Sequence, residues 1–268
     1  MNKQAKYKDG QQTGRGIEWT LSIQPDGKEQ GYTSNPVKGC KHQCRWRMPD
    51  GTIAICYAET VAGKFKSAYP DGFEAHYWNP VEIEEWYRLK TPNRIFPDSM
   101  SDLMGHWVPA EQIEIVFDGM RRAHWHTFQG LTKNAGRYLN FNLPRNFWPG
   151  SSMPPDFFMG KELSQHQQER KLSKDLQALS ELVQVGYTTW MSFEPLSYDV
   201  APIVAEFPKA LRWAVIGAAS NGPKYFQPEP EHVKRLLEVL DRHGVKIFFK
   251  GNLRGNAAAV SWREEFPE

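Results

Sequence analysis

The sequence has no run of about 18 consecutive apolar residues, so no membrane-crossing helix is written into it. Met1 to Gln12 is polar and mixed in charge, unlike the apolar core of a signal peptide. A soluble, cytoplasmic protein is the expectation. Charge of one sign is scarce as well: 33 Lys and Arg stand against 31 Asp and Glu, a formal net charge of +2. This excludes a chain held to nucleic acid chiefly by a broad phosphate-binding surface, while a local basic groove stays compatible. Cysteine is limited to three residues, too few and too odd a number for a disulfide framework. Gly217 to Gly222 looks like a phosphate-cradling loop, yet it lacks the P-loop Lys-Ser/Thr pair and the full dinucleotide fingerprint. It reads as a strand-to-helix turn or as a seat for adenine or ribose.

What is present begins with size and aromatics. A chain of 268 residues with 40% hydrophobic content can bury one sizeable core or two small ones. Ten Trp and an aromatic fraction of 13% supply core and wall residues, with a minority left for a pocket. Residues 1–36 read as a loop-rich entry, with Gly10, Gly14, Gly16, Gly27 and Gly31 as turn signals. Helices are expected over Ala58 to Lys66 and Pro80 to Leu89. From about residue 93 one grammar recurs: a short apolar run, then small and polar residues, then an amphipathic helix. Arg94 to Pro97 leads into Asp98-Ser99-Met100-Ser101-Asp102 and a helix over Glu111 to Arg122. His126 to Leu131 leads into Thr132-Lys133-Asn134, and Asn146 to Pro149 into Gly150-Ser151-Ser152. Leu172, Leu176, Leu179, Leu182 and Val183 repeat at helical spacing. Thr188 to Phe193 leads into Glu194-Pro195, Leu211 to Ile216 into Gly217, with a helix over His232 to His243, and Val245 to Phe249 into Lys250-Gly251-Asn252.

Serial units of this kind predict an α/β fold: a parallel sheet with helical crossovers, closed or partly closed as a (β/α) barrel. One domain is expected over residues 1–268, with 253–268 as a C-terminal tail. In such a barrel the strand C-terminal ends converge on the active face, where the polar clusters above would lie.

All the sulfhydryl chemistry sits in one loop. Cys40 and Cys44 are separated by three residues, and Cys56 follows after eleven more. Thiolates suit zinc or iron–sulfur clusters. Three of them leave one coordination position open. Either a [4Fe–4S] cluster offers its fourth iron to a substrate or cosubstrate, or His42 or an external group completes a structural Cys₃His zinc site. Three unrelated thiols are the blander alternative.

Asn35 to Cys40, Cys56-Tyr57-Ala58-Glu59, Ser99 to Asp102, Thr127-Phe128-Gln129 with Leu131-Thr132-Lys133, Ser192 to Leu196 and Phe248-Phe249-Lys250 resemble the phage and prophage three-cysteine-motif family, a domain of unknown function with radical-SAM character. The ordered set runs from about Gly16 to Asn252. The resemblance implies a radical-SAM barrel with a [4Fe–4S] cluster on Cys40, Cys44 and Cys56. It implies S-adenosylmethionine chelated on the open iron and cleaved to a 5′-deoxyadenosyl radical. A flavodoxin or ferredoxin would be the electron donor, and a nucleotide or nucleic acid is the substrate class that phage kinship favours; a partner protein could deliver it. Tyr57, Ser99, Ser101, Asp102, Gln129, Thr132, Ser151, Ser152 and Glu194 are implied around the cosubstrate, with Glu194 and Lys133 as candidate catalytic groups. The alternative reading is a zinc-stabilised nucleic-acid-binding module without catalysis.

Three departures from the family pattern are visible. Radical-SAM spacing usually leaves two residues between the last two cysteines; here an insertion, Arg45 to Ile55, has a turn signal at Met48-Pro49-Asp50-Gly51. Met153 to Gln165 interrupts the stretch after Gly150-Ser151, and Ala218-Ala219-Ser220 stands where the family carries a glutamate. Residue by residue, Ser99, Ser101 and Asp102 offer acceptors for an ammonium, or an N-cap for the next helix. Lys133 or Lys250 could pair with a carboxylate or phosphate, and His124 and His126 read as helix-end and strand-start residues.

Overall fold

The computed structural model describes residues 1–4, 7–8, 11–12, 16–222 and 224–267. Gly10 and Gly14, two of the turn signals, lie outside the described residues. The chain divides into two compact units, one of Met1–Lys41, Ala58–Thr132 and Asn140–Trp148, the other of His42–Tyr57, Lys133–Leu139 and Pro149–Glu268.

The first unit is built on four parallel strands: β1 (Glu29–Ser34), β2 (Arg94–Pro97), β3 (Thr127–Gln129) and β4 (Phe147–Trp148), hydrogen-bonded in that order. Asn2–Gln4 and Ser22–Ile23 add antiparallel to β1. The sequence reading placed β1 inside a loop-rich entry, and this is corrected: Glu-Gln-Gly-Tyr-Thr-Ser has no apolar run, and its pairing on β2 and the two short strands makes it extended. Tertiary context outweighs a weak local propensity here. Helices α1 (Tyr57–Lys64), α2 (Val81–Arg88) and α3 (Ala110–Arg122) match the expected segments to within two residues. Ile113, Val116, Phe117 and Met120 recur on the buried side of α3, and Trp86 of α2 packs on Phe128 with ring centroids 4.7 Å apart. His126 is buried; its Nδ1 accepts from the Asn93 amide, which leaves Nε2 to donate to the Trp86 carbonyl.

The second unit has its own parallel sheet of β5 (Gly150–Ser152), β6 (Trp190–Phe193), β7 (Trp213–Ile216) and β8 (Lys246–Phe249). Every residue of β6 and β7 is buried, which is why β7 reads as an unbroken apolar run and β6 as one interrupted only by Ser192. The crossovers are α4 (Gln165–Gln184), α5 (Ala201–Ala205) and α6 (Pro230–Arg242). α4 starts seven residues ahead of its first leucine, at a capping box in which Ser164 and Gln167 satisfy each other's backbone amides. The C-terminal tail runs antiparallel along the outer edge of β8: the Phe249 amide donates to the Arg263 carbonyl and the Glu265 amide to that of Ile247, and the Phe266 ring packs at a tilt against Trp213 and Phe248. An edge strand that would otherwise be open is thereby covered.

The architecture is thus mixed α/β with parallel strands and helical crossovers. Among the described residues no helix is long and apolar enough to cross a membrane.

Candidate metal and ligand site

The long interval between the second and third cysteines resolves into a hairpin. Arg45–Arg47 pairs antiparallel with Ile53–Ile55 in the register Arg45↔Ile55, Trp46↔Ala54, Arg47↔Ile53. The turn is closed by Met48 and Thr52, with Gly51 at φ 81°. Because Arg45 and Ile55 are the last pair, Cys44 and Cys56 flank the open end of the ladder on facing sides. Facing residues in such a ladder have Cα atoms about 4.5–5.5 Å apart. The insertion therefore loops out and returns Cys56 beside Cys44, as its turn signal suggested. None of the three cysteines is in a disulfide, and Cys44 is buried. Cys40 belongs to the first unit; Cys44 and Cys56 belong to the second.

The other two departures from the family pattern also form hairpins, and both meet this one. Phe157–Phe158 pairs with Lys161–Glu162 and with Arg45, while the Arg47 amide donates to Asp156 at 2.7 Å. Ala219–Asn221 pairs with Lys224–Phe226 and reaches the Cys hairpin's tip through Asn221 to Thr52 and Lys224 to Asp50. His42 stacks on Phe158 with centroids 4.7 Å apart.

In the first unit, the Cys40 segment is tied to the loop after β2. Pro97 is in register with Ser34, so Asn35 and Asp98 leave the sheet together. Asn35 Oδ1 accepts from the Met100 amide at 2.8 Å and from Ser99 Oγ at 3.2 Å. Asp98 Oδ1 accepts from the Val37 amide at 2.7 Å. The Gly39 amide donates to Met100, the Cys40 amide to Phe73, and Ser101 Oγ to the Gly39 carbonyl at 2.6 Å. Asp102 is buried and accepts from the Met104 amide and from Thr132 Oγ1, the latter at 2.7 Å. The N-cap reading of Ser99, Ser101 and Asp102 is corrected: the next helix starts at Ala110 behind Pro109, and these groups brace the cysteine segment. The hydroxyl oxygens of Ser99 and Ser101 keep lone pairs for a further donor. Gln129 is buried and donates to the Trp19 carbonyl.

In the second unit, Lys133 Nζ donates to Ser152 Oγ at 2.7 Å and to the Met153 carbonyl, and lies 5.6 Å from the Trp46 ring centroid. Ser151 is fully buried, and its hydroxyl donates to Asp175. Burial pushes the Asp175 carboxyl up, while Lys171 and two hydrogen bonds pull against it. Glu194 follows β6 and is ion-paired with Lys250, itself the residue after β8. Tyr57 opens α1 with most of its side chain in solvent. Asn35, Asp98, Asp175 and Asn252 were missed by the sequence reading. Asp98 had a signal, since it directly follows the legible strand Arg94–Pro97; Asn35 had none, because the strand before it reads as a loop.

Asp98 gives a pH prediction. It is fully buried at φ 57°, and desolvation, with Asp102 and Glu82 adding, raises its carboxyl well above the ordinary range. Because the folded-state value exceeds the unfolded one, the contribution to stability is full below the unfolded carboxylate range and is lost as pH rises through the folded value. Asp98→Asn keeps the Oδ1 acceptor and suits a left-handed backbone. The variant is expected to match the parent at about pH 4 and to be the more stable of the two at about pH 8. Urea melts at the two pH values check this; a constant difference would refute it.

Among the described residues no group of three or more His, Cys, Asp and Glu is placed to hold a single metal ion. Within the second unit, Cys44 and Cys56 at the hairpin base are a pair of soft donors of the kind that suits zinc or an iron–sulfur cluster.

A family model described as a protein of unknown function, DUF5131, matches residues 16–261. The chain belongs to this family. No curated protein matches the DUF5131 chain in sequence. Among solved structures it is similar to spore photoproduct lyase complexed with dinucleoside spore photoproduct, with TM-score 0.51 and 11% identity over 88% of this chain and 81% of that one. A cysteine-to-alanine mutant of the same lyase is similar at TM-score 0.50 and 11% identity, over 87% and 80% of the two chains. This DUF5131 member thus shares the fold of that lyase.

Proposed function

We propose that the chain is a radical S-adenosylmethionine enzyme with a partial (β/α) barrel, in which Cys40, Cys44 and Cys56 hold a [4Fe–4S] cluster. The observation that carries this reading is the hairpin base that returns Cys56 beside Cys44 despite the eleven intervening residues. The motif resemblance and the shared fold of the lyase support it. When bound, the cluster supplies the electron that cleaves S-adenosylmethionine and starts hydrogen abstraction. A flavodoxin or ferredoxin is the proposed reductant.

The chain's own residues divide the remaining work. Ser99 and Ser101 offer hydroxyl lone pairs to the cosubstrate ammonium, with Asp102 and Thr132 bracing the loop behind them. Gln129, Tyr57 and Ser152 are proposed to line the cosubstrate site, and Ser151 acts indirectly through Asp175. Lys133, fixed by Ser152 and the Met153 carbonyl, and Glu194 are the proposed catalytic groups. A nucleotide or nucleic acid is the proposed substrate, a class supported by the dinucleoside bound to the lyase of the same fold.

Anaerobic reconstitution followed by iron, sulfide and zinc analysis tests the reading. About four iron and four sulfide per chain are expected. Dithionite and S-adenosylmethionine should then yield 5′-deoxyadenosine. Stoichiometric zinc with no labile sulfide would sink the proposal in favour of a zinc-stabilised binding module.

A further inference from the structure

The register of the second sheet sets three side chains in a row. Phe193, Ile216 and Phe249 are paired across β6, β7 and β8, so the residues that follow them, Glu194, Gly217 and Lys250, leave the sheet side by side. The Gly217 amide still donates to Phe193 at 3.2 Å and the Lys250 amide to Ile216 at 2.9 Å, which extends the ladder by one step. Lys250 Nζ donates to both carboxylate oxygens of Glu194. Asn252 Nδ2 donates to Glu194 Oε1 at 3.1 Å and to the Ala218 carbonyl at 2.8 Å, while its Oδ1 accepts from the Ala218 amide at 3.1 Å. Asn252 is thus held at both ends of its amide. A Cβ on residue 217 would stand 3.1 Å from Asn252 Oδ1, Glu194 Cδ and Lys250 Cδ together, so glycine leaves the room in which the three side chains meet.

Glu194 and Lys250 remain about a quarter exposed, at 23% and 24% of their side chains, so a ligand can reach them. The pair is electroneutral, and the Lys250 ammonium is committed to a carboxylate. That removes it from the role of phosphate or carboxylate receptor which its position in the sequence invited. Glu194 Oε1 already has two donors; Oε2 has one and keeps capacity for another.

We propose that Lys250 and Asn252 are positioning residues that pre-set the Glu194 carboxylate as an acceptor for hydroxyl or ammonium donors of the bound ligand. The strand-end cluster thereby selects donor-bearing, uncharged or cationic groups over phosphates. Holding the carboxylate in one rotamer before binding removes an ordering cost that the ligand would otherwise meet. The identity of that ligand as S-adenosylmethionine rests on the proposed function.

The test separates position from mere ion pairing. Four chains are compared: wild type, Lys250→Met, Lys250→Arg, and the exchange of Glu194→Lys with Lys250→Glu. The melting temperature of each metal-free chain is measured, and S-adenosylmethionine affinity is measured by equilibrium dialysis after anaerobic reconstitution. Lys250→Met is expected to weaken binding about tenfold, and Lys250→Arg to recover it to within about threefold. The exchange is expected to restore the melting temperature and leave binding weak, because the carboxylate now leaves β8 instead of β6. Wild-type affinity in Lys250→Met, or recovery of affinity in the exchange, overturns the inference while a loaded cluster leaves the proposed function standing. A wild-type chain that takes up no cluster overturns both.

Discussion

Chains carrying Cys44→Ala or Cys56→Ala are expected to retain less than about a tenth of the wild-type iron and to form 5′-deoxyadenosine at least about a hundredfold more slowly. The two losses should be equal, because the hairpin register puts both sulfurs at the same open end of one ladder. Thiolate is the ligand iron needs, and alanine supplies no donor. The control lies at the other end of the same hairpin. Asp50, in the turn, bonds only with Thr52 and Lys224 among its described partners and is solvated. Asp50→Ala should therefore keep the iron content of wild type. Parallel iron and sulfide assays decide the matter, and a Cys56→Ala chain that kept its cluster would remove this cysteine from the ligand set.

The second large effect is expected at Gly39. This residue has φ 87°, and a Cβ there would lie 1.7 Å from the Ala75 carbonyl oxygen, far inside contact distance. The obstacle is backbone and cannot swing away. Gly39→Ala must either move the Phe73 to Ala75 segment, to which the Cys40 amide is bonded, or break the bonds from Gly39 to Met100 and Ser101. A loss of roughly 3 kcal/mol or more is expected, with the melting temperature falling by about 6–12 °C and the iron content falling with it. Gly27 isolates the dihedral contribution: its φ is 77°, but a Cβ there meets nothing within 4 Å. Gly27→Ala should cost only about 1 kcal/mol. Equal melting temperatures in the two variants would show that steric overlap plays no part at Gly39.

The parallel strands β6, β7 and β8 were legible because burial on both faces leaves largely apolar runs, Trp-Met-Ser-Phe, Trp-Ala-Val-Ile and, after the exposed Lys246, Ile-Phe-Phe. β1 was not legible, since Glu-Gln-Gly-Tyr-Thr-Ser is made extended by its neighbours. Polar residues at strand ends could be listed from sequence, but their pairing could not. Lys250 looked like a free cation because nothing local says that Phe249 lies in register with Ile216 and Ile216 with Phe193. Ser99, Ser101 and Asp102 satisfied the local pattern of a helix cap, and only the position of Pro109 shows that the helix starts too late for them to serve. The turn at Met48 to Gly51 was visible through its Pro-Asp-Gly chemistry, which is local by nature.

The three hairpins on the second unit lean on one another: Phe157–Phe158 completes the ladder beside Arg45–Arg47, and Asn221 and Lys224 hold the turn at Thr52 and Asp50. They form a single accessory module assembled from three distant stretches of chain. Trimming any one of them would strip hydrogen-bond partners from another and bare a strand edge rich in phenylalanine and isoleucine, an invitation to self-association. A chimaera that grafts this cysteine hairpin elsewhere should therefore carry its two companions with it.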